Sequence, residues 1–162
     1  MEDKQRVYRI GNREILIRPM RKEDIAEAAA LEKAAFSMPW SAEALCSMTD
    51  RADALYVVAV TDGKVMGMCG AMNACGDGDI GNVTVSESLR GQGIGKAMLE
   101  TLLLWGREIG IENYTLEVRA GNRTAISLYE KLGFHSEGIR PGFYEKPRED
   151  AVIMWKRQEA DG

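Results

Sequence analysis

The sequence predicts an α/β (α+β) fold in which a mixed sheet carries helices on both faces. Three observations lead there. Leu55–Val60 and Val65–Gly70 are short buried-type apolar runs joined by Thr61-Asp62-Gly63-Lys64, and an Asp-Gly pair between such runs is a strong hairpin signal. Val83-Thr84-Val85 then runs through a loop with glycines at 91, 93 and 95 into an amphipathic helix. A second strand and helix follow, and the chain ends in two more strands, a succession that places helices over both faces of one sheet.

In chain order, Val7–Ile10 and Arg13–Arg18 alternate apolar and polar residues around Gly11-Asn12, which predicts a first strand or a small hairpin that Pro19 ends. After the polar entry Arg21-Lys22-Glu23-Asp24, the residues Ile25, Ala28, Ala29, Glu32 and Phe36 recur at helical spacing. Ser41 is placed to cap a second short helix behind Pro39-Trp40. The hairpin comes next, then a polar, glycine-rich loop from Asn73 to Asp79 and a strand over Ile80–Val85. The helix beyond the glycine loop buries Ile94, Met98, Leu102, Trp105 and Ile109, with Gly110 as its cap. Strand Tyr114–Arg119, helix Arg123–Leu132 with Ala125, Leu128, Tyr129 and Leu132 on one face, and strands Phe134–Arg140 and Asp150–Lys156 complete the order β-α-α-β-β-β-α-β-α-β-β.

With 162 residues, 45% hydrophobic and 28% charged, the chain fits a single domain over residues 1–162. A formal net charge of −4 argues against general nucleic-acid binding, so any anion site is local. Cys46, Cys69 and Cys75 show no metal-ligand spacing, and His135 alone cannot build a zinc site, so no metal is expected. The opening Met1-Glu2-Asp3-Lys4 lacks a basic-then-apolar export signal. No apolar stretch approaches the about 20 residues that cross a bilayer, so a cytoplasmic location without a membrane partner is expected.

The glycine loop is the most telling local feature. Three glycines let the backbone turn tightly and present bare N–H groups, while the following helix adds its unpaired first-turn donors and the positive end of its dipole. That is a cradle for a phosphate-bearing ligand. A nucleotide-hydrolysing P-loop does not fit, because Arg90 stands where its first glycine belongs and Ala97 where its magnesium-binding hydroxyl belongs. A dinucleotide fingerprint fails too, since its third glycine would fall on Lys96 or Met98.

Arg90-x-x-Gly93-x-Gly95 does resemble the pyrophosphate loop of the GNAT superfamily of acetyl-CoA-dependent N-acetyltransferases, and the element order resembles that superfamily from end to end. The resemblance implies a mostly antiparallel central sheet of six to seven strands flanked by about four helices, with acetyl-CoA as cosubstrate. It implies that Arg90, Gly91, Gln92, Gly93, Ile94, Gly95 and Lys96 hold the diphosphate, and that Val83 and Thr84 line the acetyl and pantetheine arm. Val85 would offer main-chain N–H groups to the carbonyl oxygen where two central strands splay apart, and Asn122 would lie against the cofactor arm while capping its helix.

Acetyl transfer from a thioester to an amine needs a neutral amine, a home for negative charge on the carbonyl oxygen, and a proton for the leaving thiolate. Alternation in Leu116-Glu117-Val118-Arg119 puts Glu117 mid-strand on the face opposite Leu116 and Val118, which makes it the candidate base, acting directly or through water. Read without the family pattern, it is sooner the partner of an arginine such as Arg119. Leu128-Tyr129 with Gly133-Phe134 resembles the superfamily's closing segment, which implies that Tyr129 protonates the coenzyme A sulfur. On spacing alone, Tyr129 belongs to an apolar stripe.

Four further segments resemble one branch, the bacterial ribosomal-protein alanine N-acetyltransferases of the RimI type. They are Phe36-Ser37-Met38-Pro39-Trp40-Ser41, Leu116 to Asn122, Leu128-Tyr129 with Gly133-Phe134, and Ile139-Arg140-Pro141-Gly142-Phe143-Tyr144 with Glu149-Asp150-Ala151. The resemblance implies a protein N-terminus as acceptor, that of a ribosomal protein, in a direct transfer from a ternary complex. Phe36, Trp40 and Tyr144 would form apolar walls around a slot for a peptide end, with ordinary packing as the plain alternative for each aromatic. The chain departs from the branch at Phe143, where a tyrosine is usual, at Gly121, where serine is usual, and at Pro141-Gly142, which alters the loop between the last two strands. A small-molecule amine or a protein lysine is the alternative acceptor, and a non-catalytic acetyl-CoA-binding module the alternative class.

Overall fold

The computed structural model describes residues 4–36, 39–81 and 83–158. Ser37 and Met38 of the Phe36–Ser41 segment, Asn82 of the expected Ile80–Val85 strand, and Met1, Glu2 and Asp3 lie outside the described residues.

β1 (Arg6–Ile10) and β2 (Arg13–Pro19) form the expected hairpin, with Gly11 at φ +61°. A single 3-10 turn at Lys22–Asp24 leads into α1 (Ile25–Ala35), and α2 (Ala42–Thr49) starts at Ser41, whose hydroxyl accepts the Ala44 N–H at 3.1 Å. β3 (Ala54–Thr61) turns through Asp62 and Gly63, both at positive φ, into β4 (Lys64–Ala74). β5 (Asp77–Ile80) and β6 (Thr84–Val85) precede α3 (Ile94–Gly106), which relaxes into a 3-10 turn ended by left-handed Gly110. β7 (Asn113–Arg119), α4 (Arg123–Lys131), β8 (His135–Tyr144) and β9 (Glu149–Lys156) close the chain.

Among the described residues the sheet runs β1-β2-β3-β4-β5-β7-β9-β8, with β6 beside β4, and only β5 and β7 are parallel. Among the described residues it has nine strands where six to seven were expected. The first strand is a two-stranded hairpin, and the strand expected over residues 80–85 is divided into β5 and β6. The stretch Asn73 to Asp79, expected as a loop, is mostly strand: β4 extends to Ala74 and pairs with β5 across a tight turn. Asn73 makes this possible, because its side chain accepts the Gly76 N–H at 2.8 Å and donates to the Ile109 carbonyl at 2.7 Å.

Alternation along the strands divides the core between the two faces. Val57, Leu116 and Phe134 pack with Met98 and Leu102 under α3 and α4. Tyr56, Val58 and Met68 pack with Ile25, Ala28 and Leu45 under α1 and α2. No described helix is long and apolar enough to cross a membrane.

The break between β5 and β6 positions the site. On β4, Ala71 faces Ile80 and Met68 faces Thr84, so the register slips by one residue between the two strands. Beyond the slip β6 no longer accompanies β7: β5 pairs with β7 only through Asp79 and Thr115, and from Leu116 onward β7 pairs with β9 alone. The sheet opens there into a gap.

Candidate acetyl-transfer site

Two structures meet at this gap, a main-chain cradle and a cleft. In the cradle, Gly91 and Gly93 have φ of +77° and +90°, a conformation that side chains resist, and a Cβ on either would meet nothing within 4 Å. Gly93 is also the N-cap of α3; no side chain caps this helix and its first turn carries no acid. The first-turn N–H groups therefore face open space, as an anion requires. The Ile94 side chain lies in the core at 2% exposure, so only its main chain can serve a ligand. Lys96 projects outward and reaches Glu100 at 3.9 Å. Arg90 donates from Nε to the Val85 carbonyl at 3.2 Å, which ties the cradle to β6.

Val85 is held with its other polar group aimed at the gap. The Ser86 N–H bonds to the Met66 carbonyl at 2.7 Å and Thr84 faces Met68, so by antiparallel alternation the intervening Val85 turns its N–H and C=O away from β4. Thr84 itself is buried, and its hydroxyl points to Glu32 rather than to the cleft. A Cβ on Gly95 would stand 3.8 Å from Val85 and 3.9 Å from Val83, and Val83 also lines the cleft. Cradle and cleft are thus contiguous.

The cleft holds about 680 Å³. It collects Phe36, Trp40, Val83, Glu117, Asn122, Tyr129 and Tyr144 from six separate stretches of chain. A larger cleft of about 850 Å³, between Met20, Met48 and Tyr56, contains none of the candidate residues. Glu117 and Tyr129 come from opposite faces of the sheet. Leu116 and Val118 point into the core beneath α4, which also takes in Tyr129, so Glu117 points to the other side. They line one cleft because the sheet is open between β6 and β7.

Arg119 is not the partner of Glu117. It bonds Glu149 at 3.2 Å, donates to the Glu145 and Pro147 carbonyls, and lies 4.5 Å from the Tyr144 ring centroid. Glu117 instead faces Arg140 at 3.8 Å. Burial first, and then the Asp79 carboxylate, hold the Glu117 carboxyl above the usual glutamate range, with Arg140 pulling the other way. Asp79 was missed in the sequence, where it lay at the end of an expected loop. It lines the same cleft, and the surrounding walls raise its own carboxyl against the pull of Arg140.

Tyr129 is 8% exposed, and its ring packs 5.9 Å from Phe134. The contrast with Tyr114 is instructive. Tyr114 spends its hydroxyl on the Leu102 and Leu103 carbonyls at 3.2 and 3.3 Å, as a structural tyrosine does. The hydroxyl of Tyr129 bonds to no described residue, and the side chain borders the cleft. Burial holds its proton on well above the ordinary tyrosine range. Asn122 caps α4, accepting the Ala125 N–H at 3.2 Å, and still borders the cleft.

The walls are aromatic. Trp40 lies 6.2 Å from Tyr56, and Tyr144 meets Phe143 edge to face at 5.0 Å. The Pro141–Tyr144 segment, expected as a loop, is part of β8 and bulges from β9 between the Arg140–Ala151 and Tyr144–Glu149 pairs. Gly121 has a local reason as well. Its N–H donates to Glu149 at 2.7 Å, and a Cβ there would stand 2.8 Å from the same carboxylate oxygen.

The chain matches the Acetyltransferase (GNAT) family over residues 23–134. It is 33% identical over 140 residues to a Bacillus subtilis protein provisionally named a ribosomal protein bS18-alanine N-acetyltransferase, covering 86% of this chain and 93% of the relative. It is 33% identical over 133 residues to the Escherichia coli K12 ribosomal protein bS18-alanine N-acetyltransferase, covering 81% and 89%. The crystal structure of the Escherichia coli ribosomal-protein-S18-alanine N-acetyltransferase superposes with a TM-score of 0.81 at 30% identity, over 91% of this chain and 97% of that one.

Proposed function

Because the chain belongs to the GNAT family of acetyltransferases, we propose that it transfers the acetyl group of acetyl-CoA to the N-terminal amine of a protein, the N-terminal alanine of a ribosomal protein, within a ternary complex. The observation that carries this reading is the single opening in the sheet. Beside it lie an anion cradle and a main-chain N–H, next to a cleft lined by a carboxylate and by a tyrosine whose hydroxyl bonds to no described residue.

Acetyl-CoA supplies an acyl carbon already activated as a thioester. The diphosphate rests on the N–H groups of Gly91 to Lys96, and the arm runs along Val83 past Asn122, with the buried Thr84 side chain turned away to Glu32. An α-amino group has a pKa of about 7.7 to 8.0, so at neutral pH it arrives largely as ammonium and must give up one proton. Glu117 takes that proton, directly or through water. The freed nitrogen attacks the carbonyl carbon, and Val85 N–H holds the charge that grows on the carbonyl oxygen. As the C–S bond breaks, Tyr129 donates its hydroxyl proton to the sulfur, and the second proton leaving the nitrogen restores the hydroxyl. Phe36, Trp40 and Tyr144 hold the peptide end against the reacting carbon.

A peptide test decides the acceptor. With acetyl-CoA, an Ala-starting peptide that also contains lysine is expected to be acetylated at its N-terminus, and its N-blocked version not at all. Transfer only to the blocked peptide would reject the N-terminal reading in favour of lysine.

The pH profile tests the base. A base acts when deprotonated, and Glu117 is held above its ordinary range by burial and by Asp79, so the acid limb of kcat/KM is expected above that range. Removing the like charge lowers the Glu117 proton affinity. Asp79→Asn is therefore expected to move the acid limb to lower pH, and an unmoved limb would separate Asp79 from the base.

A further inference from the structure

A buried acid outside the reacting groups ties the two substrate sides together. Glu32 lies on α1 with 0% exposure. A buried carboxylate is costly unless its oxygens are satisfied by donors, and an apolar residue at this position would make no such demand. Glu32 meets it with donors from two other segments of chain. One oxygen accepts the Thr84 hydroxyl at 2.8 Å, and the other accepts the Trp40 main-chain N–H at 3.2 Å. Thr84 directly precedes Val85, whose N–H faces the gap, while Trp40 forms a wall of the acceptor cleft.

We propose that Glu32 is a positioning residue that couples the acceptor wall at Trp40 to the acyl-binding strand at Thr84, so that filling the cofactor side orders the acceptor side. This rests on the functional reading above. Glu32 has no exposed surface with which to touch either substrate, so it acts through the groups it holds, the Thr84 hydroxyl and the Trp40 main-chain N–H among them. A ligand pairing with β6 restrains Thr84, the hydroxyl restrains the carboxylate, and the carboxylate restrains the Trp40 amide. Such coupling is reciprocal, so an occupied acceptor cleft strengthens cofactor binding by the same factor.

Hydrogen exchange at the Trp40 amide, with CoA as the probe, tests this without any acceptor. Saturating CoA is expected to slow exchange there by about 5-fold or more in the unaltered protein. Thr84→Val removes one link and is expected to bind CoA while losing that slowing. Glu32→Gln keeps an oxygen for the Trp40 N–H and offers an amide that the Thr84 oxygen accepts, so it is expected to retain the slowing. Should Glu32→Leu fail to fold, these two variants still carry the test. The same slowing in Thr84→Val, or CoA binding to the unaltered protein with no change at Trp40, would overturn the coupling alone. Absence of CoA binding would overturn both the coupling and the cofactor reading.

Discussion

Glu117→Gln is expected to lower kcat/KM by about 10²- to 10⁴-fold, the range a positioned general base supplies, with the acetyl-CoA dissociation constant unchanged. The loss falls on chemistry because the carboxylate sits in the cleft and not in the cradle. Its one ion pair among the described residues, to a half-exposed Arg140 at 3.8 Å, is a surface contact whose loss costs at most about 1 kcal/mol. The fold is therefore expected to survive. Residual activity should also climb with pH past about 8, because the neutral fraction of an α-amino group then no longer depends on a base. A variant that keeps full activity at neutral pH would remove Glu117 from the mechanism. If Asp79→Asn with Glu117→Gln then lost what Glu117→Gln alone kept, the proton would pass to Asp79.

What the sequence disclosed and what it hid divide along locality. The cradle at 90–96 was legible because its demands are local: left-handed φ at Gly91 and Gly93 calls for glycine, and the helix that follows shows its own periodicity. The facing of Glu117 was legible because strand alternation is local too. Its partner was not. Whether Arg119 or Arg140 stands opposite depends on the β8–β9 register, and that register is shifted twice, near Gly138 and again between Arg140 and Tyr144. Asn73 to Asp79 read as a loop because glycine and polar residues dominate it. Pairing with β4 and β7, helped by Asn113 bonding Asp77 at 3.0 Å, overrides that weak strand propensity. The same misreading hid Asp79. Glu32 was visible as a helical position, and a charge on a core-facing stripe was the available signal that it holds something.

Tyr129→Phe is expected to reduce kcat by about 10²-fold or more while leaving stability nearly unchanged, and the pairing of those two outcomes is what identifies the role. A tyrosine whose hydroxyl is bonded in the core loses a hydrogen bond of about 1 kcal/mol when it becomes phenylalanine. Tyr114→Phe is the internal reference, since its hydroxyl is shared between two α3 carbonyls; denaturant unfolding should show it destabilised with activity largely kept. Tyr129 offers no such bond to break, so phenylalanine keeps the ring against Phe134 and removes only the donor at the cleft. The proton held there is not readily lost. Burial keeps the hydroxyl protonated across the working pH range, which suits a group that must present hydrogen to a departing sulfur. A thiol titrates near about 8.5, below this tyrosine, so the donor gains most by stabilising charge as it forms on sulfur and receives its replacement from the acylated nitrogen. Acyl donors with a better leaving thiolate should then lose less: with a more acidic acyl thiol than CoA, the gap between Tyr129→Phe and the unaltered enzyme is expected to narrow. A gap that stays constant across leaving groups would place Tyr129 in substrate positioning instead of proton donation.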